Sequence, residues 1–359
     1  FARPVPIVGA AAVSAHGLEW RGLSRSVRHG CCAPLASNEL ATTHPGTLSF
    51  ELQALAEATS LAEKRARPLM SRSAVLAAMA TRAVLGDAGW SEALEDVGFY
   101  LGVGASGGSL DQLTSMLAAS VEDHALSLTR FGDQGLAACN PLFAFQLMNN
   151  FSLCHSAIFH GTQGPNAAFF SRGTGTVVAL LEAAEAILSE DCARALAGGA
   201  DSSVHAVTWA ELVREGWAER GLVPGEGAAL LALARPTTTE KTHGFLDYAA
   251  VAACRTRPPL QALAAVQPEL DCASIDAVVL APWGPPARAV LRAFADAALP
   301  GRLVVDTERA LGESLAATPA LACTVALDLL SAEGLARVLI LSHGLDGDLG
   351  VVTIRSGGP

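Results

Sequence analysis

The sequence predicts an α/β fold built as two similar halves around buried, largely parallel or mixed sheets. Three observations carry that expectation. Short apolar runs of β character alternate with longer Ala/Leu-rich runs whose apolar positions recur at helical spacing. The stretch from Ala186 to Leu196 resembles the stretch from Asp328 to Leu339, and each reads as a helix feeding a strand. Apolar residues make up 51% of the 359 residues and charged residues only 16%, enough to cover sheets on both faces.

The elements follow in order. The opening run, IVGAAAV, reads as a first strand. It lacks the basic-then-apolar order and cleavage site of a secretory leader. Buried strands are expected at 97–104, 193–199, 227–234, 275–282, 301–306 and 336–342, each short, apolar and bounded by turn residues. Helices are expected at 177–190 and 318–333. Each half also contains a strand with a glycine-bearing end (GVGASGG, LAPWGPP), followed by a strand and a glycine turn (NAAFFSRGTG, VVDTERALG). The polar stretch 236–244 is the expected break, giving halves 1–236 and 237–359.

Composition narrows the function classes. With 24 basic against 35 acidic residues the formal charge is −11, and no Lys/Arg cluster stands out, which argues against a nucleic-acid partner. No apolar run reaches the roughly 18 uncharged residues of a membrane helix, so no membrane partner is expected. Eight cysteines, at 31, 32, 139, 154, 192, 254, 272 and 323, form no CxxC pair and read as buried, reduced thiols of a cytoplasmic protein. Cys154 and His155 are adjacent, so on a helix they point about 100° apart and make a poor nucleophile–base pair. His155 and His160 are five apart, poor spacing for a metal. GVGASGG lacks the full dinucleotide fingerprint. Neither cofactor nor metal is expected.

Several motifs in fixed order resemble the β-ketoacyl-acyl-carrier-protein synthases of the thiolase fold. IVGAAAVSAHGLEWRGL is similar to the family's opening strand and helix, SRSAVLAAMATRAVLGDAGW (71–90) to the next helix, and GVGASGG (102–108) to a glycine-rich strand end. The most specific stretch is 140–166, where Asn150, His155, Gly161, Gly164, Pro165 and Asn166 fall at family spacing. GGADSS (198–203) and GEGAALLAL (225–233) match later signatures. The resemblance implies a thiolase-like layered αβαβα fold made of two duplicated halves with mixed sheets.

The departures fall on the catalytic positions. The family's nucleophilic cysteine stands seven residues after the Gly-Pro-Asn turn, at the start of a helix whose N-terminus favours a thiolate. That position is Gly173 here. The first catalytic histidine falls on Ala281, the second on Glu313, and the family lysine on Glu308. Alanine donates nothing from its side chain, and an ionised glutamate only accepts, so neither stabilises a developing oxyanion. The family's Gly-Phe-Gly-Gly stretch reads Gly344-Leu345-Asp346-Gly347, and the segment between Ala200 and Gly225 is shorter than the family norm.

These losses remove condensation and decarboxylation while the shape persists. The resemblance then implies a chain-length factor, a non-catalytic ketosynthase-like subunit of a heterodimeric type II ketosynthase in polyketide or fatty-acid-like biosynthesis. Such a subunit is not catalytic alone; it belongs to an acyltransferase complex, and an acyl carrier protein docks through the partner. The strand at 166–172 is expected to pair across the interface. Ser106, Leu142, Phe143, Phe145, Phe169 and Phe170 are the candidate interface or acyl-tunnel residues, and ordinary core is the competing role for the aromatics. Two other classes stay open: an enzyme that reuses the old pocket through Glu308, Glu313 or Ser171, and a homodimeric binding or scaffold protein.

Overall fold

The computed structural model describes residues 3–53, 55, 60–104, 107–235, 242–254 and 257–357. Ser106 and the expected break at 236–237 lie outside the described residues. Ten strands form the main sheet: β1 Val5–Val13, β2 Gly98–Val103, β3 Asn166–Phe170, β4 Arg194–Ser202, β5 Glu226–Ala234, β6 Gly244–Ala252, β7 Ala277–Pro282, β8 Leu303–Asp306, β9 Arg337–His343 and β10 Leu349–Arg355. The helices of eight residues or more are α1 Arg72–Ala88, α2 Leu110–Ala119, α3 Phe151–His160, α4 Gly175–Leu188, α5 Ala206–Arg214, α6 Pro259–Val266, α7 Pro285–Ala298 and α8 Thr318–Glu333.

The sheet order is β3-β2-β4-β5-β1-β6-β10-β9-β7-β8. Counted within each half, both sides read third, second, fourth, fifth, first from the outer edge inward, so the duplication is written into the topology. The halves join where β1 meets β6 antiparallel, with Val5 opposite Leu246 and Ile7 opposite Gly244. Within each half the second strand runs parallel to its two neighbours, β3 and β4 or β8 and β9, and the remaining pairs are antiparallel. The sheet is therefore mixed.

Strand alternation sorts side chains into layers. In β5, Ala229, Leu231 and Leu233 face a central core, while Leu230 and Ala232 face an outer one under α1. In β9, Val338 and Ile340 face the same central core, while Leu339 and Leu341 face the other outer core, with α7. The central core holds α4 and α8, which explains why those helices are apolar nearly all round. The result is an αβαβα stack. Leu315–Glu333 is long and apolar enough to cross a membrane by length and composition alone, but it is the buried central helix. Its Asp328 is buried and accepts from the backbone N–H groups of Gly22 and Ser24, both at 2.9 Å, and from Ser24 Oγ.

The thiols differ from expectation. Of the eight free cysteines only Cys192 and Cys323 are buried; Cys31 is exposed and the other five are half-buried. Their apolar sequence neighbours belong to faces and turns that solvent reaches, so composition overstated their burial.

Candidate functional site

Strand β3 runs into the turn Ser171–Thr174, and α4 begins at Gly175, the strand–turn–helix elbow that the resemblance implied. Gly173 has φ 155°, and a Cβ there would lie 2.1 Å from Gly344 Cα. Gly344 returns the constraint, since its own Cβ would lie 2.5 Å from Gly173 Cα. No side chain of any kind fits at either position without backbone movement. The position that the resemblance aligns with the family nucleophile is thus closed by the backbone of the loop that follows β9.

Hydrogen bonds fasten that closure. Asp346 accepts from the Arg172 backbone N–H at 2.7 Å through Oδ2 and from Arg172 Nε at 2.9 Å through Oδ1. Leu345 N–H donates to Arg172 C=O at 2.9 Å. Burial works against the Arg172 charge, but the Asp346 carboxylate and then Glu215 raise its pKa above the ordinary value, so the guanidinium stays charged. Ser171 Oγ lies 3.0 Å from Thr174 Oγ1, accepts from Thr174 N–H at 3.2 Å and reaches Asp346 Oδ2 at 3.4 Å. These are turn-stabilising bonds, and no histidine is among them.

The two positions that the resemblance aligns with the family histidines lie on elements bonded to this region. Ala281 is buried near the end of β7, opposite Ser342 and so beside the strand that leads into Gly344. The turn after Glu313 is tied to the start of α4, because Thr176 Oγ1 donates to Ala316 C=O at 2.6 Å. Glu313 is buried and accepts from Leu315 N–H at 2.6 Å and Thr318 Oγ1 at 3.0 Å, both through Oε1. Burial, reinforced by the nearby Asp201 carboxylate, pushes its pKa up to about 8 against the pull of those two bonds, so Glu313 is mostly protonated at neutral pH. The sequence left the charge of Glu313 open; burial makes it a neutral acid locked into a turn. That turn carries strain: Leu315 is a non-glycine residue at φ 53°.

Glu308 is no partner for Glu313. Its carboxylate pairs with Arg288 of α7, which also binds Asp306. Beside the clasped loop, Trp209, Leu222, Trp283, Leu315 and Leu345 pack into an apolar cluster. Trp283 meets Trp217 edge-on with ring centroids 4.4 Å apart. Trp283 belongs to the turn that the resemblance aligns with the family's histidine motif.

The candidate interface residues divide. Phe143 is only 4% exposed and packs inside the chain, where a Cβ on Gly108 would meet its ring at 2.5 Å. Phe145 stacks on Phe151 with centroids 4.7 Å apart, in a ladder continued by His155 and Phe159. Burial lowers the His155 pKa, as fits a neutral packed imidazole. Phe169 is half-buried at the central core, whereas Leu142 and Phe170 are open to solvent at 44% and 63%. Sequence reasoning missed Asp346, Arg172 and Gly344 as a unit. The signal was an acidic residue in one family turn and an arginine in another that the resemblance already placed at one site.

Comparison with known proteins agrees with this architecture. The family model described as "Beta-ketoacyl synthase, N-terminal domain" matches residues 2–238. A search of curated proteins finds no match. Among solved structures, the chain is similar to the ishigamide ketosynthase/chain length factor, at TM-score 0.79 and 22% identity over 99% of this chain and 100% of that one. It is also similar to a chain of AntDE:AntF, a type II PKS acyl-carrier protein in complex with its ketosynthase bound to the hexaketide, at 0.76 and 15% over 99% of each chain. A third likeness is to a β-ketoacyl synthase from Burkholderia phymatum STM815, at 0.78 and 17% over 99% and 100%. With the ketosynthase fold complete and a family signature spanning the first half, the chain belongs to the β-ketoacyl synthase family.

Proposed function

We propose that this protein is a non-catalytic ketosynthase-like subunit, a chain-length factor, that pairs with an active β-ketoacyl-acyl-carrier-protein synthase. It stabilises that partner and shapes its acyl tunnel in polyketide or fatty-acid-like biosynthesis. The observation that carries the reading is the Gly173–Gly344 contact, which leaves no room for a nucleophilic side chain at position 173. An enzyme with a reused pocket finds little support: Glu308 is neutralised by Arg288, Glu313 is caged, and Ser171 serves its own turn. The two halves, taken as 1–236 and 237–359, act as one scaffold in this reading.

The surface supports a partner. Among the described residues, strand β3 is bonded on one side only. Of the nineteen large apolar side chains exposed among the described residues, eleven fall between Leu110 and Phe170. Exposed apolar side chains at that density in one stretch support a docking surface there. The same stretch holds Asp111, Glu122, Asp123 and Asp133 against Arg130 alone. The likeness to a ketosynthase/chain length factor structure points the same way.

Co-expression with a ketosynthase that keeps its cysteine is the test. A stable one-to-one complex, with acyl labelling confined to the ketosynthase, is the expected result. A self-sufficient homodimer that ignores every ketosynthase, or covalent acylation of this chain, overturns the reading.

A further inference from the structure

An edge strand held from one side frays at its free ends. The N-terminal end of β3 is pinned, since Pro165 C=O accepts from Phe99 N–H at 2.9 Å and Gly164 packs on the Val97 backbone. At the other end Ser171 N–H makes the last sheet bond, to Val103 C=O at 3.0 Å. Beyond it the chain is held from the far half of the molecule. Asp346 takes the backbone and side chain of Arg172, and Leu345 bonds the Arg172 carbonyl. Arg172 Nη1 also reaches Glu215 at 3.5 Å, and Glu215 is fixed in turn by Trp217 Nε1 at 2.6 Å. Arg172 and Asp346 are partly open to solvent and contribute little core, so the bonds act locally, on the end of β3. They also form one wall of an open cleft of about 440 Å³ between Phe170 and Val207, two apolar side chains exposed beside the strand end.

We propose that Asp346 is a positioning residue for the docking edge: the loop Gly344–Gly347 clasps the elbow and holds β3 in the geometry that receives a partner strand. The elbow, which in a condensing enzyme presents a nucleophile, here serves as the anchor of an interface strand. This inference rests on the pairing proposed above, and its first measurement does not.

The experiment compares Asp346→Ala and Asp346→Asn with the wild type. Hydrogen exchange is followed in the free chain, and dissociation is followed in the complex with a co-expressed ketosynthase. The amides of Ser171, Arg172 and Thr174 should exchange about tenfold faster in the alanine variant, and less than that in the asparagine variant, which keeps one acceptor. The rest of the sheet should keep its protection. Dissociation of the complex should quicken about tenfold in step. Unchanged exchange at the elbow overturns the clasp, and so does a uniform rise across the sheet, which would make Asp346 a general stabiliser. Faster local exchange with unchanged dissociation overturns the positioning role. If no ketosynthase binds the wild type, the proposed function fails, while the exchange difference in the free chain still upholds the clasp.

Discussion

Gly344 Cα stands 2.1 Å from the point where a Cβ on Gly173 would sit. This one relationship separates a missing nucleophile from an excluded one. Writing cysteine back at 173 should not restore condensation. The variant must push the Gly344 loop off the elbow, at a cost of about 1–3 kcal/mol for overpacking. Chemical denaturation should register the loss of stability, and intact-mass analysis after incubation with an acylated carrier protein should show no acyl adduct on this chain. An adduct would mean that the loop yields easily.

Glu313 predicts a dependence on pH. Its folded pKa, about 8, lies above the ordinary carboxyl value of 4.5, so folding favours the protonated form. Stability from this group is whole below about pH 4.5 and is lost as pH rises towards and through 8. Glu313→Gln keeps a neutral group of similar shape. It should flatten the fall of the thermal midpoint across that window and leave the variant more stable than the wild type at pH 8. Parallel curves for the two proteins would show that Asp201 or another group governs the slope.

Two phenylalanines on either side of the surface should behave oppositely. Phe170, 63% exposed, should become aspartate with little change in the stability of the free chain, within about 0.5 kcal/mol. The same change should weaken a ketosynthase complex by at least about 2 kcal/mol, roughly thirtyfold, because a charge replaces an aromatic anchor. Phe143, packed over Gly108, should cost about 3–5 kcal/mol of chain stability when cut to alanine. Thermal unfolding of each free variant, with binding titrations for the Phe170 change, separates the two roles.

The main elements were legible where burial on both faces left an unmistakable apolar run. The helix at 318–333 falls where expected to the residue, and the expected strands lie within a few residues of β2, β4, β5, β7, β8 and β9. Strands β6 and β10 escaped notice. The first carries Asp247 and Tyr248 on a half-exposed face, and Gly350 and Thr353 interrupt the second. At the site, the alignment of Gly173, Ala281 and Glu313 with the family's catalytic positions rests on the motifs that flank each of them in the sequence. The clasp was not readable, because Arg172 and Asp346 are separated by 174 positions and only the topology of two halves brings their turns together. The protonation of Glu313 was equally hidden, since it follows from complete burial next to Asp201 rather than from residue type.

The repeated strand order leaves the ten-stranded sheet with two equivalent ends, β3 and β8. Were both able to accept a neighbour, molecules could add end to end without limit, and the product would be a filament instead of a closed pair. The ends are not alike. β3 is apolar and leads to an exposed phenylalanine, while β8 is four residues long and finishes in the charged knot of Asp306, Arg288, Arg309 and Glu308. A short, charged terminus discourages strand addition. If the proposed pairing holds, the charges gathered at Glu308, the position the resemblance aligns with the family lysine, cap one end of the sheet and growth stops after a single partner.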